Sequence, residues 1–257
     1  MDSWCVIFFF TFLGASLGSF LNVVAGRSVA GTSWWGGSRS HCPKCGTVLR
    51  WKDLVPIVSW MFLRGRCRYC GSRIAVRYVA AEVWGAATGG LLAWRWGLSP
   101  ALFPALAAAF GLFLNALTDL EEGYVFDIFP LAMGICGIAS RVLPGGGSLL
   151  DGFLGALAGC AVISLIILLS RGGMGWGDAT LAAGTGMILG WKFTLLTLYL
   201  GFMSGGVFSL ALLTAGKLRR KDAVPLVPFL AVGGMLTLLF GPRILSFLNI
   251  DPGLPWR

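Results

Sequence analysis

Leu117-Thr118-Asp119-Leu120-Glu121-Glu122 closes one apolar run of this chain, and Gly173-Met174-Gly175-Trp176-Gly177-Asp178 leads into another. Acidic residues are scarce, 11 among 257, so two aspartates at the margins of apolar runs are informative. A carboxylate placed where a helix meets the bilayer is costly unless it is paired or functional. Two of them at matching depth read as a membrane-embedded acid/base pair.

Composition supports the membrane setting. The chain is 56% hydrophobic and 12% charged, with mean hydropathy +0.80. That is too little charge to coat a soluble globule of this size, and the apolar runs approach the roughly 20 residues that cross a bilayer. The expected fold is an all-α polytopic membrane protein of about eight transmembrane helices, at 4–25, 78–95, 100–118, 128–143, 149–170, 179–195, 197–216 and 226–249. The two runs between Ala179 and Gly216 are divided only by Gly190-Trp191-Lys192, so a count of seven stays open. Within the first run, Gly14-Ala-Ser-Leu-Gly18-Ser19 is not followed by a polar mature region, which reads as a retained helix rather than a signal peptide.

Charge sets the expected orientation. Of the 20 Lys and Arg, ten fall between Arg27 and Arg77, opposed there by Asp53 alone, and Lys217, Arg219, Arg220 and Lys221 follow the seventh run. The positive-inside bias places both segments in the cytoplasm. Counting spans from there puts Arg95 and the Pro144 to Gly147 turn outside, and Asp119 and Asp178 on the cytoplasmic side. Topology thus accounts for the net charge of +9, with attraction to anionic lipid as a second effect. A nucleic-acid partner is not expected, because no recognition helix or aromatic platform accompanies the charge. Trp34-Trp35, Trp51 and Trp60 are placed to meet lipid headgroups.

The segment 26–77 holds Cys42-Pro-Lys-Cys45 and Cys67-Arg-Tyr-Cys70, two C-x-x-C knuckles 21 residues apart. Four thiolates so spaced can occupy the corners of a tetrahedron, and Gly46 and Gly71 supply a turn after each knuckle. A small cytoplasmic zinc-binding loop domain is therefore expected, with Zn2+ standing in for a core the segment is too small to build. A disulfide framework is the competing reading, and the reducing cytoplasmic face argues against it. His41 adjoins the first knuckle, but four thiols already complete a site. Cys5, Cys136 and Cys160 read as small buried hydrophobes. The Gly172 to Gly177 stretch lacks the strand and acidic acceptor of a dinucleotide fingerprint, and reads as a turn that lets backbone come close. Glu82 lies just inside the second run, where it needs a partner such as Arg77 or a function.

Together these residues resemble the bacterial type IV prepilin peptidases, intramembrane aspartyl proteases of the GxGD type that also act as N-methyltransferases. The likeness runs nearly end to end: Gly18-Ser19-Phe20-Leu21-Asn22-Val23-Val24 with Arg27, the two knuckles with Arg77-Tyr78 and Glu82, both aspartate motifs, and Val224-Pro225-Leu-Val-Pro228-Phe229. The chain departs from the family pattern at Phe126, where Pro is usual, at Thr180, where Lys is usual, and at Asp53-Leu54-Val55-Pro56, where Asn usually precedes the Leu/Ile-Pro.

The resemblance implies Asp119 and Asp178 as catalytic residues, and Gly175 and Gly177 in the loop by which substrate approaches. It implies prepilins and pseudopilins as substrates, cleaved after a Gly at the cytoplasmic face of the bacterial inner membrane, and S-adenosylmethionine as methyl donor for the new N-terminus. The domain reading is a first transmembrane helix at 1–25, a zinc-binding and methyl-transfer region at 26–77, and a transmembrane aspartyl peptidase domain at 78–257. No S-adenosylmethionine fold is legible in the spacing, and Glu82 is the one candidate beside that site. Two other classes stay open on the residues alone. A membrane thiol oxidoreductase would place the cysteines on the oxidising face, against the charge count. A transporter would place its carboxylates at the midplane rather than near one face.

Overall fold

The structure, a computed structural model, describes residues 3–34, 39–143, 146–170, 173–217, 219 and 224–251. Trp35, Pro144, Gly172, Arg220 and Lys221, named above, lie outside the described residues. Among the described residues there are nine α-helices and no β-strand: α1 Ser3–Val29, α2 Val58–Phe62, α3 Val76–Trp96, α4 Leu102–Glu122, α5 Ile128–Val142, α6 Leu149–Leu169, α7 Trp176–Leu189, α8 Trp191–Thr214 and α9 Val227–Phe247. Helices α1, α4, α6, α8 and α9 are long and apolar enough to cross a membrane, and α5 is a shorter apolar helix. With α3 and α7, these match the eight predicted runs in order, and the protein is an all-α polytopic membrane protein. The expected break at 195–197 is displaced: α7 ends at Leu189 and α8 begins at Trp191. Gly190, with φ 76°, supplies a backbone conformation that side chains disfavour.

The chain divides into two compact units, Met1–Gly97 and Leu98–Arg257. In the first, α1 packs along α3 through small residues. A Cβ on Gly14 or Gly18 would run into the backbone of Gly85 or Ala81, and one on Gly89 into the carbonyl of Phe10. Gly14-x-x-x-Gly18 facing Gly85-x-x-x-Gly89 is the small-residue contact that brings helices close in lipid, where dispersion replaces the hydrophobic effect as driving force. The opposite flank of α1 exposes Trp4, Phe8, Phe9 and Phe12, as a lipid-facing surface would.

In the second unit, α7 is packed by α4, α5, α6 and α8. Ten of its 14 residues are buried. Glycines permit this crowding: Gly184 faces the backbone of Pro130 in α5, Gly186 faces Gly155 in α6, and Gly159 faces Ala182. The far end of α7 is held by a buried guanidinium. Arg141 of α5 donates from Nε to the Met187 carbonyl (2.9 Å), from Nη1 to Ser148 (2.5 Å), and from Nη2 to Ile188 and to Asp151 Oδ2 (both 3.2 Å). The last carbonyls of a helix lack intrahelical donors, so Arg141 satisfies the C-terminus of α7 and pairs with the first turn of α6.

The aspartate pair and the four-cysteine centre

Asp119 lies one turn from the end of α4. Gly123 stops the helix in the left-handed conformation (φ 63°), its N–H bonded to the Asp119 carbonyl at 2.8 Å. The carboxylate points inward, 8% exposed, and its Oδ2 accepts the backbone N–H of Val227 at 3.0 Å. That donor has a local origin. The first N–H groups of a helix have no intrahelical acceptor, and Pro225 and Pro228 on either side of Val227 carry none, so the Val227 N–H at the start of α9 turns to Asp119. The Pro-rich stretch was legible as a helix entry, but the bond it delivers was not.

Asp178 stands in the first turn of α7, after the N-cap Gly175, and is 9% exposed. α7 packs against α4, so the two buried carboxylates belong to one pair of contacting helices, Asp119 near the end of α4 and Asp178 at the start of α7. Gly177 is demanded by its surroundings, since a Cβ there would lie 2.8 Å from the Val125 side chain in the α4–α5 connection. Gly175 is exposed and has ordinary room for a Cβ. The nearby acids Glu122 and Asp127 are exposed. Asp127 is tied to α7 through Thr180, whose Oγ1 lies 2.9 Å from Asp127 Oδ1 and 2.9 Å from the Gly177 carbonyl. Phe126 makes edge contacts with Tyr124 (5.3 Å) and Phe129 (6.2 Å).

In the first unit, Cys42, Cys45, Cys67 and Cys70 bring their sulfurs within 4.8 Å of one another, and Cys42 and Cys70 are 3.9 Å apart. Zinc–sulfur bonds of about 2.3 Å at tetrahedral angles set the sulfurs about 3.8 Å apart, so the cluster can hold a metal ion with small adjustment. The knuckles are copies of one another. Cys42 N–H bonds Thr47 O (3.0 Å) as Cys67 N–H bonds Ser72 O (2.8 Å). Gly46 N–H bonds Cys42 O as Gly71 N–H bonds Cys67 O, and Leu49 N–H bonds Ser40 O as Ile74 N–H bonds Gly65 O. Both turn glycines have φ 68°. Hydrogen bonds from the backbone of Cys45 and Lys44 bring the Cys42 thiol down to about 6, whereas burial, followed by the neighbouring thiols Cys42 and Cys70, holds Cys67 up although the backbone N–H groups of Cys70 and Tyr69 favour its thiolate. Four thiolates cannot share this space without a cation, and a divalent ion supplies one. His41 stays outside the cluster, its Nδ1 3.2 Å from the Arg39 carbonyl.

Two expectations need correcting. Glu82 does not pair with Arg77: its Oε1 accepts the Ser19 hydroxyl (2.8 Å) and its Oε2 the Ile57 N–H (2.7 Å), while Arg77 reaches Asn22 Oδ1 (3.2 Å). Cys5 and Cys136 are exposed rather than buried, because they lie on outward helix faces where lipid replaces a protein neighbour.

Residues 12–96 match the Bacterial Peptidase A24 N-terminal domain, and residues 106–210 match the Type IV leader peptidase family. A prepilin leader peptidase/N-methyltransferase of Bacillus subtilis is 33% identical over 213 residues, 81% of this chain and 84% of that protein. The chain belongs to the type IV leader peptidase family. Other members named prepilin leader peptidase/N-methyltransferase come from Burkholderia pseudomallei, 34% identical over 79% of this chain and 67% of the relative, and Pseudomonas aeruginosa, 28% identical over 90% of this chain and 89% of the relative. No solved structure matches the chain. Both family segments fall on the units described here, the first on the cysteine-bearing unit and the second on the unit that holds both aspartates.

Proposed function

We propose that this protein cleaves the basic leader from type IV prepilins and pilin-like subunits, with Asp119 and Asp178 as the acid/base pair, and methylates the new N-terminal amine from S-adenosylmethionine. Family membership and the names of the relatives support the two activities. The observation that carries the residue assignment is the burial of both carboxylates on two helices that pack together, Asp119 near the end of α4 and Asp178 in the first turn of α7.

Two carboxyl groups sharing a poorly hydrated site do not both ionise readily, so the pair holds one proton between its members. The ionised member takes a proton from water as the oxygen attacks the scissile carbonyl. The protonated member donates to the carbonyl oxygen, and on collapse of the tetrahedral intermediate the leaving amine receives a proton from the pair. The Val227 N–H fixes the Asp119 carboxylate for this role. Gly175 and Gly177 form the turn by which an extended substrate backbone approaches.

Zinc is the metal the four thiolates suit best, and it would fold the loop rather than enter the chemistry. Methyl transfer is assigned to region 26–77 with the adjoining helix ends. Glu82 belongs there as a positioning residue, since both its oxygens are engaged by Ser19 and Ile57. The ten cations between Arg27 and Arg77 support a cytoplasmic position for this loop, and counting spans from it supports the same side for Asp119 and Asp178.

The test is cleavage of a prepilin in liposomes with S-adenosylmethionine present, by wild type, Asp119→Asn and Asp178→Asn, with mass spectrometry of the mature N-terminus. Loss of either carboxylate is expected to lower cleavage by about 10²-fold or more. Cleavage at wild-type rate in either variant refutes the pair, and an unmethylated wild-type product refutes the second activity.

A further inference from the structure

Between the knuckles, α2 and the turn before it carry an apolar face left uncovered among the described residues. Trp51 is 73% exposed, Leu54 46%, Val58 47%, Met61 64% and Phe62 84%. Val58, Met61 and Phe62 share one face of α2, and Leu54 lies in the turn that precedes it. Trp51, Val55, Val58 and Phe62 line a groove of about 300 Å3 whose lining also includes Lys52 and Arg68. Trp60, by contrast, packs over Gly65 and takes no part in this face.

Depth decides what covers it. The N–H of Ile57, immediately before α2, is held by Glu82, which also accepts from Ser19. Glu82 lies six residues inside the start of α3 and Ser19 ten residues before the end of α1, so the start of α2 is drawn about 9 to 15 Å along those helices, at 1.5 Å per residue. Ile57 accepts a left-handed φ of 63° at this point, a conformation a β-branched residue adopts only when its surroundings impose it. A segment pinned to that level meets the bilayer interface rather than bulk water. Its charge fits an anionic surface: eight Lys and Arg lie between Arg39 and Arg73, against Asp53 alone, and the Lys52 ammonium sits 5.5 Å from the centre of the Trp51 ring.

We propose that the α2 face is an interfacial membrane anchor. Trp51, Leu54, Val58, Met61 and Phe62 enter the headgroup and upper acyl region, while Lys52 meets lipid phosphates and Arg68, held at its Nε by Asp53 (2.6 Å), keeps only its outer nitrogens for them. The cysteine-bearing segment then lies on the bilayer rather than hanging from two helices. This inference needs the membrane setting but not the peptidase chemistry, so it stands or falls apart from the aspartate assignment.

The test uses the full chain in nanodiscs of phosphatidylglycerol and phosphatidylethanolamine doped with a diazirine-bearing lipid, irradiated and mapped by mass spectrometry. Adducts are expected on the peptide spanning Trp51 to Phe62 as well as on the exposed Phe8 and Phe9 of α1. Trp51→Ser/Phe62→Ser should reduce the former several-fold while sparing α1 labelling and metal content. Labelling of α1 without labelling of 51–62 in the wild type overturns the proposal. So does loss of the 51–62 adducts when prepilin is added, because the face would then belong to the substrate.

Discussion

Removing the guanidinium of Arg141 tests whether α7 is held from its far end. Arg141→Met keeps length and apolar bulk but deletes four hydrogen bonds, to Met187, Ser148, Ile188 and Asp151. At the average of about 0.6 kcal/mol per side-chain bond in a membrane protein, the loss is about 2.4 kcal/mol. The Met187 and Ile188 carbonyls would also be left without a donor in a site where the Arg141 side chain is fully enclosed. Each such acceptor costs about 1–3 kcal/mol, so the two together give about 2–6 kcal/mol, a range that contains the first figure. For a unit of this size that corresponds to a fall in Tm of about 4–24 °C, read from a thermal scan of the detergent-solubilised protein. Prepilin cleavage should fall as well, since Asp178 rides on the same helix. Arg141→Lys, with its charge but not its fork, should land between, and Asp151→Asn should cost less because Asp151 is 32% exposed and Asn still accepts. A Tm within about 1 °C of wild type for Arg141→Met, against the several degrees expected, would show that the clamp does not secure α7.

Gly85→Leu should destabilise the first unit severely, because a Cβ already collides with the Gly14 carbonyl, while Gly134→Leu, where a Cβ meets nothing within 4 Å, should be tolerated. Thermal scans of the two variants side by side decide this. Purified protein should carry one tightly held metal ion that Cys42→Ser removes and Cys136→Ser leaves, by elemental analysis. Tyr69 titrates above its ordinary range because burial and its hydrogen bond to Asp53 Oδ2 (3.1 Å) favour the protonated phenol. A phenol raised in this way contributes stability that is full below about pH 10 and lost as pH rises through the folded value. Asp53→Asn should therefore move one of the four tyrosine ionisations toward lower pH in an ultraviolet titration.

Apolar runs revealed the helices because a bilayer demands about 20 residues of one kind. The α7–α8 turn falls at Gly190, within the Gly190-Trp191-Lys192 divider read from the sequence, but averaging over a window set the span bounds six residues too late. The cysteines and both aspartates were legible because their chemistry depends on residue type and spacing. The Val227 N–H on Asp119 is a backbone group and leaves no mark of its own in the sequence. Arg141 carried a signal, a lone cation in an apolar run, but its partners lie 7 to 47 positions away. Gly14-x-x-x-Gly18 was legible as part of a retained helix, but the helix contact it makes with Gly85 and Ala81 was not.

The 14 residues of α7 rise about 21 Å, some 9 Å less than a hydrocarbon layer of about 30 Å. With its C-terminus fastened at the level where α5 ends and α6 begins, the shortfall falls at the other end. The first turn of α7, with Asp178, therefore stops short of the far ends of α6 and α8, which pack against it and run for 21 and 24 residues.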